Sequence, residues 1–295
     1  MICRSNAISP YMQTLATLRF LATGSFYTVH GDLHDVSVPS VCRIVQRVVA
    51  ALSRLAPAEV RFPVRPQDVA LTKHEFFQLA GFPNVVGALD CTHVRLYGAP
   101  LGENEHLYVN RKGYHSINVQ AICDANYRIT NIVARSYCML SSTGASSERG
   151  LTMEELVIND TTTGFILFRL NGVLVGDTGY ALRPWLMTPI LAPTTNAERH
   201  YNRSHRKARV TVGQTFGQLK RNIPCLSLGM RVSPQRACII IRACCVLFNL
   251  SKEFRQPELD DTDDLEADDD DDDLPYDGPI QDGCIQRDLL VNTYF

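Results

Sequence analysis

The chain has no CxxC pair, although it holds ten cysteines among 295 residues, and no cysteine stands at zinc-binding distance in sequence from a histidine. Zinc ribbons, zinc fingers and dithiol redox motifs are thereby excluded. Most of the cysteines lie in apolar runs, where a free thiol packs as a small hydrophobe. No disulfide framework is expected, and the setting reads as reducing and intracellular. The first residues, MICRSNAISPYMQ, carry no apolar signal core. The best candidate for a membrane span, ACIIIRACCVLFNL (residues 237–250), is too short and has Arg242 at its centre, so it is expected as a buried helix. The single tryptophan, Trp185, lies between Pro184 and Leu186 and reads as a packing anchor rather than a platform for a base. No internal repeat is present.

A formal net charge of −2 conceals two opposed parts. From Glu258 onward there are 15 acidic residues against one basic, Arg287, which leaves 28 basic against 16 acidic residues in 1–257. A basic body suits a polyanionic partner. The run ELDDTDDLEADDDDDDLPYDG has too little apolar content to order itself, and the segment 258–295 is expected to be an acidic, largely disordered tail.

Residues 1–66 read as helical. TLATLRFLATG stops at Gly24, and VSVPSVCRIVQRVVAALSRL repeats apolar residues at Val41, Ile44, Val48 and Leu52 behind an N-cap at Ser37 or Ser40. A short helix, a turn and a longer Arg-bearing helix resemble a helix-turn-helix, and a helical bundle packed on the main domain fits the periodicity equally. Residues 57–82, with Pro57, Pro63 and Pro66, read as a connector closing in a short helix, HEFFQLAG. From Val85 the period changes to that of strands: VVGALDCTHVRLY, SINVQAICDA and YRITNIVARSYCML, the last two joined by a tight turn at Asn126–Tyr127. A helical stretch, LTMEELVIND, precedes a fourth strand, GVLVGDTG, and a Pro-punctuated loop. Helices over roughly 196–222 and 234–254 complete an α/β domain with a mixed sheet over 84–254.

Two aspartates stand out within this pattern. Asp90 follows Val85, Val86, Ala88 and Leu89; Asp177 follows Val173, Leu174 and Val175. Each is expected at the end of a buried strand, followed at once by a turn-competent segment, CTH or TGY. Either alone reads as a turn-capping side chain. Together they suit a hard divalent cation and metal-assisted phosphoryl chemistry. The cluster His200, Arg203, His205, Arg206, Lys207 and Arg209, continued by Lys220 and Arg221, is expected as a stripe that grips phosphates.

Three blocks, GALDCTHVRL, GDTGYALRPWLMTPI and YNRSHRKARVTVGQTFGQLKRNIPCL, resemble the motif blocks of the PIF/Harbinger DDE transposase family, and LRFLATGSFYTVHGDLHDVSVPSVCRIV resembles its N-terminal helical region. The likeness runs from about residue 12 to residue 250. It implies an RNase H-like core, a mixed sheet flanked by helices, that cuts DNA with Mg²⁺ or Mn²⁺ held by acidic ligands on the first strand, the fourth strand and a following helix. Carried over by position, the first two ligands and catalytic residues are Asp90 and Asp177. The third, a Glu directly before the residues matching Gln214, Thr215, Phe216 and Gly217, falls on Gly213. Glu198 lies 15 residues upstream of that position, and Gln214 points about 100° away on a helix. A second departure is MLSSTGASSERG, where the family has Gly-Ser-x-His-Asp-Ser. His93 matches the family pattern and reads as a structural histidine rather than a ligand.

The resemblance further implies a Myb/SANT-like DNA-binding partner and a role in the nucleus, or in nucleus and cytoplasm; the short, Arg-interrupted apolar run gives no expectation of a membrane partner. Two functions follow. One is a divalent-metal-dependent nuclease, weakened or silenced at Gly213. The other is a catalytically inactive derivative of the same fold that binds DNA or protein.

Overall fold

Helices in this chain begin at prolines and end at glycines where the sequence offers them. In the computed structural model, which describes residues 8–34, 36–98, 101–135, 171–254 and 283–295, α1 (Pro10–Thr23) has Pro10 in its first turn, Ser9 as N-cap and Gly24 as a left-handed C-cap at φ 59°. Helix α5 (Pro66–Ala80) repeats the device with Pro66 and with Gly81 at φ 66°. It is therefore longer than the expected short helix, because a proline in the first turn lacks only an N–H that no helix uses. Between them lie α2 (Tyr27–His34), α3 (Val38–Ser53) and α4 (Ala56–Glu59).

Five strands form one mixed sheet: β1 (Val85–Arg95), β2 (Ser116–Cys123), β3 (Ile129–Arg135), β4 (Val173–Val175) and β5 (Leu186–Met187). Their order is β3-β2-β1-β4-β5. The first three run antiparallel, as the tight turn predicts: Asp124 Oδ1 accepts the N–H groups of Asn126 and Arg128 at 2.9 Å each, and Tyr127 takes φ 61°. β4 joins β1 in parallel and β5 joins β4 in parallel. The two residues of β5 sit inside the stretch expected to be a loop. The expected extension of β3 to residue 140, the helix at 151–160 and the block at 138–150 lie outside the described residues.

Helices α6 (Asn196–Asn222), α7 (Cys225–Leu228) and α8 (Pro234–Glu253) follow. The apolar run at 237–250 is largely buried within α8, with Ile239 and Arg242 exposed. Phe20, Leu21, Val41, Val45 and Val49 of α1 and α3 share one core with Ile240, Ile241 and Phe248 of α8 and with Ala88, Ile117 and Val119 of the sheet. The N-terminal helices thus pack as a bundle on the main core. Trp185 is half-buried against a smaller cluster with Val86, Leu89 and Leu174. No helix among the described residues is long and apolar enough to cross a membrane.

Asn249 of α8 ties the sheet to these helices. Its Oδ1 accepts the Ile129 N–H at 2.9 Å, while Nδ2 donates to the carbonyls of Ile129 at 2.7 Å and Glu59 at 2.9 Å. Asn249→Leu strands those buried backbone groups and is expected to cost about 2 kcal/mol in urea denaturation.

The end of the chain departs from the expected disorder. Cys284–Tyr294 form α9, with Leu290 and Val291 buried. The Phe295 ring lies 5.5 Å from that of Phe82 and 5.7 Å from that of Tyr201. Acidity thins out after Asp282, and Leu290, Val291 and Phe295 then recur at helical spacing, so this segment has a face to bury.

Candidate active site

Pairing register brings the two aspartates together. β1 and β4 are matched at Gly87 with Leu174 and at Ala88 with Val175, so two residues further on Asp90 and Asp177 stand side by side across the sheet. Asp90 lies within its strand rather than at its end, because β2 continues to pair Cys91–Arg95 with Gln120–Ser116. β4 does stop at Val175, and Asp177 opens the turn that follows. Each carboxylate spends one oxygen locally. Asp90 Oδ1 accepts the Cys91 N–H at 2.7 Å and Asp177 Oδ1 accepts the Gly179 N–H at 3.0 Å. Their side chains are 15% and 10% exposed.

Beneath this turn, the Tyr180 hydroxyl bonds with Cys91 Sγ at 3.1 Å and accepts from Gln120 Nε2 at 3.1 Å. Burial raises its pKa well above the ordinary phenol value, so it stays neutral and pins the TGY turn to β1 and β2. His93 Nδ1 bonds with Ser116 Oγ at 3.0 Å across the same strand pair.

Helix α6 supplies the site's third wall. It starts from a capping box: Thr195 Oγ1 accepts the Glu198 N–H, and Glu198 Oε2 accepts the Thr194 and Thr195 N–H groups at 2.6 and 2.8 Å. Those backbone bonds, with the Thr194 hydroxyl, pull the Glu198 pKa down to about 2. Glu198 is thus committed to the helix start and cannot replace a carboxylate at position 213, about 22 Å along the axis. Because its folded pKa lies below the ordinary 4.5, the cap is fully present above that pH and is lost as pH falls toward about 2. Glu198→Ala is expected to speed amide exchange at Thr194 and Thr195 at neutral pH, leaving exchange around Arg209 unchanged.

Further along α6, Tyr201 donates to the Thr188 carbonyl at 3.0 Å, Asn202 brackets the backbone of Ile190 at 2.8 and 2.9 Å, and His205 Nε2 meets the Met187 carbonyl at 3.0 Å. These bonds fix the helix to the exit of β5. One turn after His205, Arg209 reaches the aspartates. Its Nη2 stands 3.2 Å from Asp90 Oδ2 and 3.9 Å from Asp177 Oδ2.

The expected phosphate stripe is therefore divided. His205 is not part of it: burial lowers its pKa to about 4, and it packs neutral in the core. Arg209 is only 24% exposed at its side chain and belongs to the carboxylates. Arg203, Arg206 and Lys207 are exposed, while Lys220 and Arg221 are half-buried in the last turn. On a helical wheel Arg206, Gly213 and Lys220 lie within about 60° of Arg209, whereas Arg203, Arg221 and Lys207 lie about 120–160° away. Only the first group shares the face of the aspartates. His200 is exposed, with its ring 5.2 Å from that of Phe295.

Gly213 is exposed, and a Cβ built there would meet nothing within 4 Å. Among the described residues no group of three His, Cys, Asp or Glu side chains assembles into a metal site. The aspartate pair alone still suits one divalent cation. Both Oδ2 atoms face the guanidinium Nη2, at 3.2 and 3.9 Å, and two carboxylates turned toward one positive group are the candidate monodentate ligands for a hard cation.

Residues 89–249 match the family described as DDE superfamily endonuclease. The chain is 37% identical over 253 residues to “Putative nuclease HARBI1” of Homo sapiens, covering 85% of this chain and 69% of that protein. The Mus musculus protein of the same name is 38% identical over 251 residues, covering 84% and 69%. “Protein ALP1-like” of Arabidopsis thaliana is 25% identical over 269 residues, covering 87% and 64%. No solved structure matches the chain.

Proposed function

Because this chain belongs to the DDE superfamily endonuclease family, we propose that it is a transposase-derived nuclease with an RNase H-like core that cuts DNA phosphodiester bonds using Mg²⁺ or Mn²⁺ held by Asp90 and Asp177. The observation that carries this reading is the convergence of the two Oδ2 atoms, brought side by side by the β1–β4 register, on one positive group, Arg209 Nη2. A bound cation would supply activation of water and stabilisation of the leaving oxygen. The Cys91 and Gly179 N–H groups each bond Oδ1 and so fix the orientation of the two carboxylates. Tyr180 fixes the turn that carries Asp177.

Arg206, exposed on the same helical face, grips phosphate beside the site. Arg203, Lys207, Lys220 and Arg221 extend the positive field around α6, so DNA affinity should fall steeply with salt. A Myb/SANT-like partner in the nucleus supplies sequence recognition in this reading.

Gly213 favours a second reading, in which the fold is kept for binding DNA or protein without cutting. One assay separates the two. Wild-type protein is incubated with duplex and single-stranded DNA in Mg²⁺, Mn²⁺ and EDTA, beside Asp90→Ala and Asp177→Ala. Metal-dependent cleavage lost in both variants supports the nuclease. Salt-sensitive binding without cleavage, equal in all three proteins, supports the binding derivative. Cleavage unchanged by Asp177→Ala would show that the proposed site is wrong.

A further inference from the structure

Arg209 stands where a metal would have to stand. We propose that the Arg209 guanidinium and a divalent cation are alternative occupants of the Asp90–Asp177 pair, so that in this chain the arginine holds the site closed to metal until it is displaced. The proposal rests on the reading of Asp90 and Asp177 as metal ligands.

Charge makes the guanidinium a strong occupant. Two carboxylates side by side with little solvent exposure cannot both stay ionised without a counter-charge. Arginine is always charged and cannot surrender its proton to relieve a crowded site. Its Nη2 faces both Oδ2 atoms at once, from a side chain that is itself largely covered.

Geometry makes the two occupants exclusive. The Oδ1 atoms are engaged by the N–H groups of Cys91 and Gly179, so metal and arginine would share the same two Oδ2 atoms. Mg²⁺ binds oxygen at about 2.1 Å, so a cation held by both Oδ2 atoms would stand on the side of the pair that Nη2 now faces. A dication beside that guanidinium would also meet like-charge repulsion in a partly desolvated setting.

Helix α6 sharpens the effect. Glu198 is its only carboxylate, and it is committed to the helix start. One turn beyond Arg209, on the same face, Gly213 has no side chain and open space around it. A carboxylate there would draw the guanidinium along the helix by an i, i+4 contact and complete the ligand set in one change.

Thermal unfolding of the full chain, with Mn²⁺ titrated against EDTA, tests this without reference to catalysis. In EDTA, Arg209→Gln is expected to melt roughly 5 °C below wild type, because it leaves two adjacent carboxylates uncompensated. Mn²⁺ at about a hundredfold excess over its Kd should then raise that variant by about 5–10 °C. Wild type should move by less than about 1 °C at the same concentration, its arginine already in place. Arg209→Gln combined with Asp90→Asn should lose the response to Mn²⁺.

A wild-type shift as large as that of Arg209→Gln overturns the proposal. So does an Arg209→Gln protein that is neither destabilised nor metal-responsive, or one that stays unfolded both with and without Mn²⁺. If Arg209→Gln binds Mn²⁺ through Asp90 and neither protein cuts DNA, the exclusion stands and the nuclease reading falls. If wild type cuts DNA at the Mn²⁺ concentration that saturates Arg209→Gln, the nuclease reading stands and the exclusion falls.

Discussion

Gly213→Glu is expected to raise Mn²⁺-dependent DNA cleavage by on the order of 10²–10³-fold, the scale on which a single preorganised electrostatic group contributes to catalysis. Position 213 lies one helical turn from Arg209, on the face of α6 that meets the aspartates. A new side chain enters open space there, so no repacking opposes it. Loss of a mid-helix glycine also stabilises α6 by about 1 kcal/mol. That gain has to be separated from chemistry, and Gly213→Ala does so: it shares the stability and lacks the carboxylate. Cleavage should rise in Gly213→Glu, stay at the wild-type level in Gly213→Ala, and vanish from Gly213→Glu combined with Asp177→Ala. A Gly213→Glu protein that is more stable yet no more active would mean that something other than this missing ligand limits cutting. The measurement is a time course on plasmid or oligonucleotide duplex with metal varied, because the extra ligand should also lower the Mn²⁺ concentration needed.

The pair of aspartates was legible in the sequence because buried strands announce themselves as apolar runs, and two such runs each lead to a carboxylate, although either one alone reads as a turn cap. Their adjacency was not legible, since it depends on the β1–β4 register, a long-range property. The bounds expected for α6 agree with the structure because a capping box at Thr195 and Glu198 and an amphipathic period mark the same segment. β5 was hidden for the opposite reason: two residues between Pro184 and Pro189 carry no period at all.

The basic cluster shows what a count of charges along the chain leaves out. Counting charges along the chain treats His205 and Arg209 like Arg206, but a helix places neighbours in sequence on different faces. Tyr201, His205, Ala208, Val212, Thr215 and Leu219 form the buried stripe, so His205 falls in phase with the core and Arg209 at its border. That spacing was available in the sequence and outweighs the local charge. The ordered α9 was missed similarly, when the composition of a long acidic run was extended over a final segment with its own apolar face.

Acidification should loosen the same corner of the molecule, through His205. Burial holds its pKa at about 4 against an ordinary 6.5; the Met187 and Gly176 backbone bonds pull upward, and the nearby Arg209 charge pushes further down. Between these two values the unfolded chain binds a proton that the folded chain refuses. Stability linked to His205 is therefore complete above pH 6.5 and is lost progressively as pH falls to about 4. A shift of this size corresponds to about 3 kcal/mol at most. His205→Gln keeps a neutral donor for the Met187 carbonyl and removes the titration. Urea denaturation at pH 7.5 and 4.5 should show wild type losing about 2–3 kcal/mol more than the variant over that interval. Equal losses would mean that the imidazole is protonated in the fold as easily as in the unfolded chain. Because His205 fastens α6 to the exit of β5, its protonation should also free Arg209 from a fixed approach to Asp90 and Asp177. Amide exchange along residues 201–213 should accordingly rise in wild type before global unfolding sets in, and should stay flat in His205→Gln.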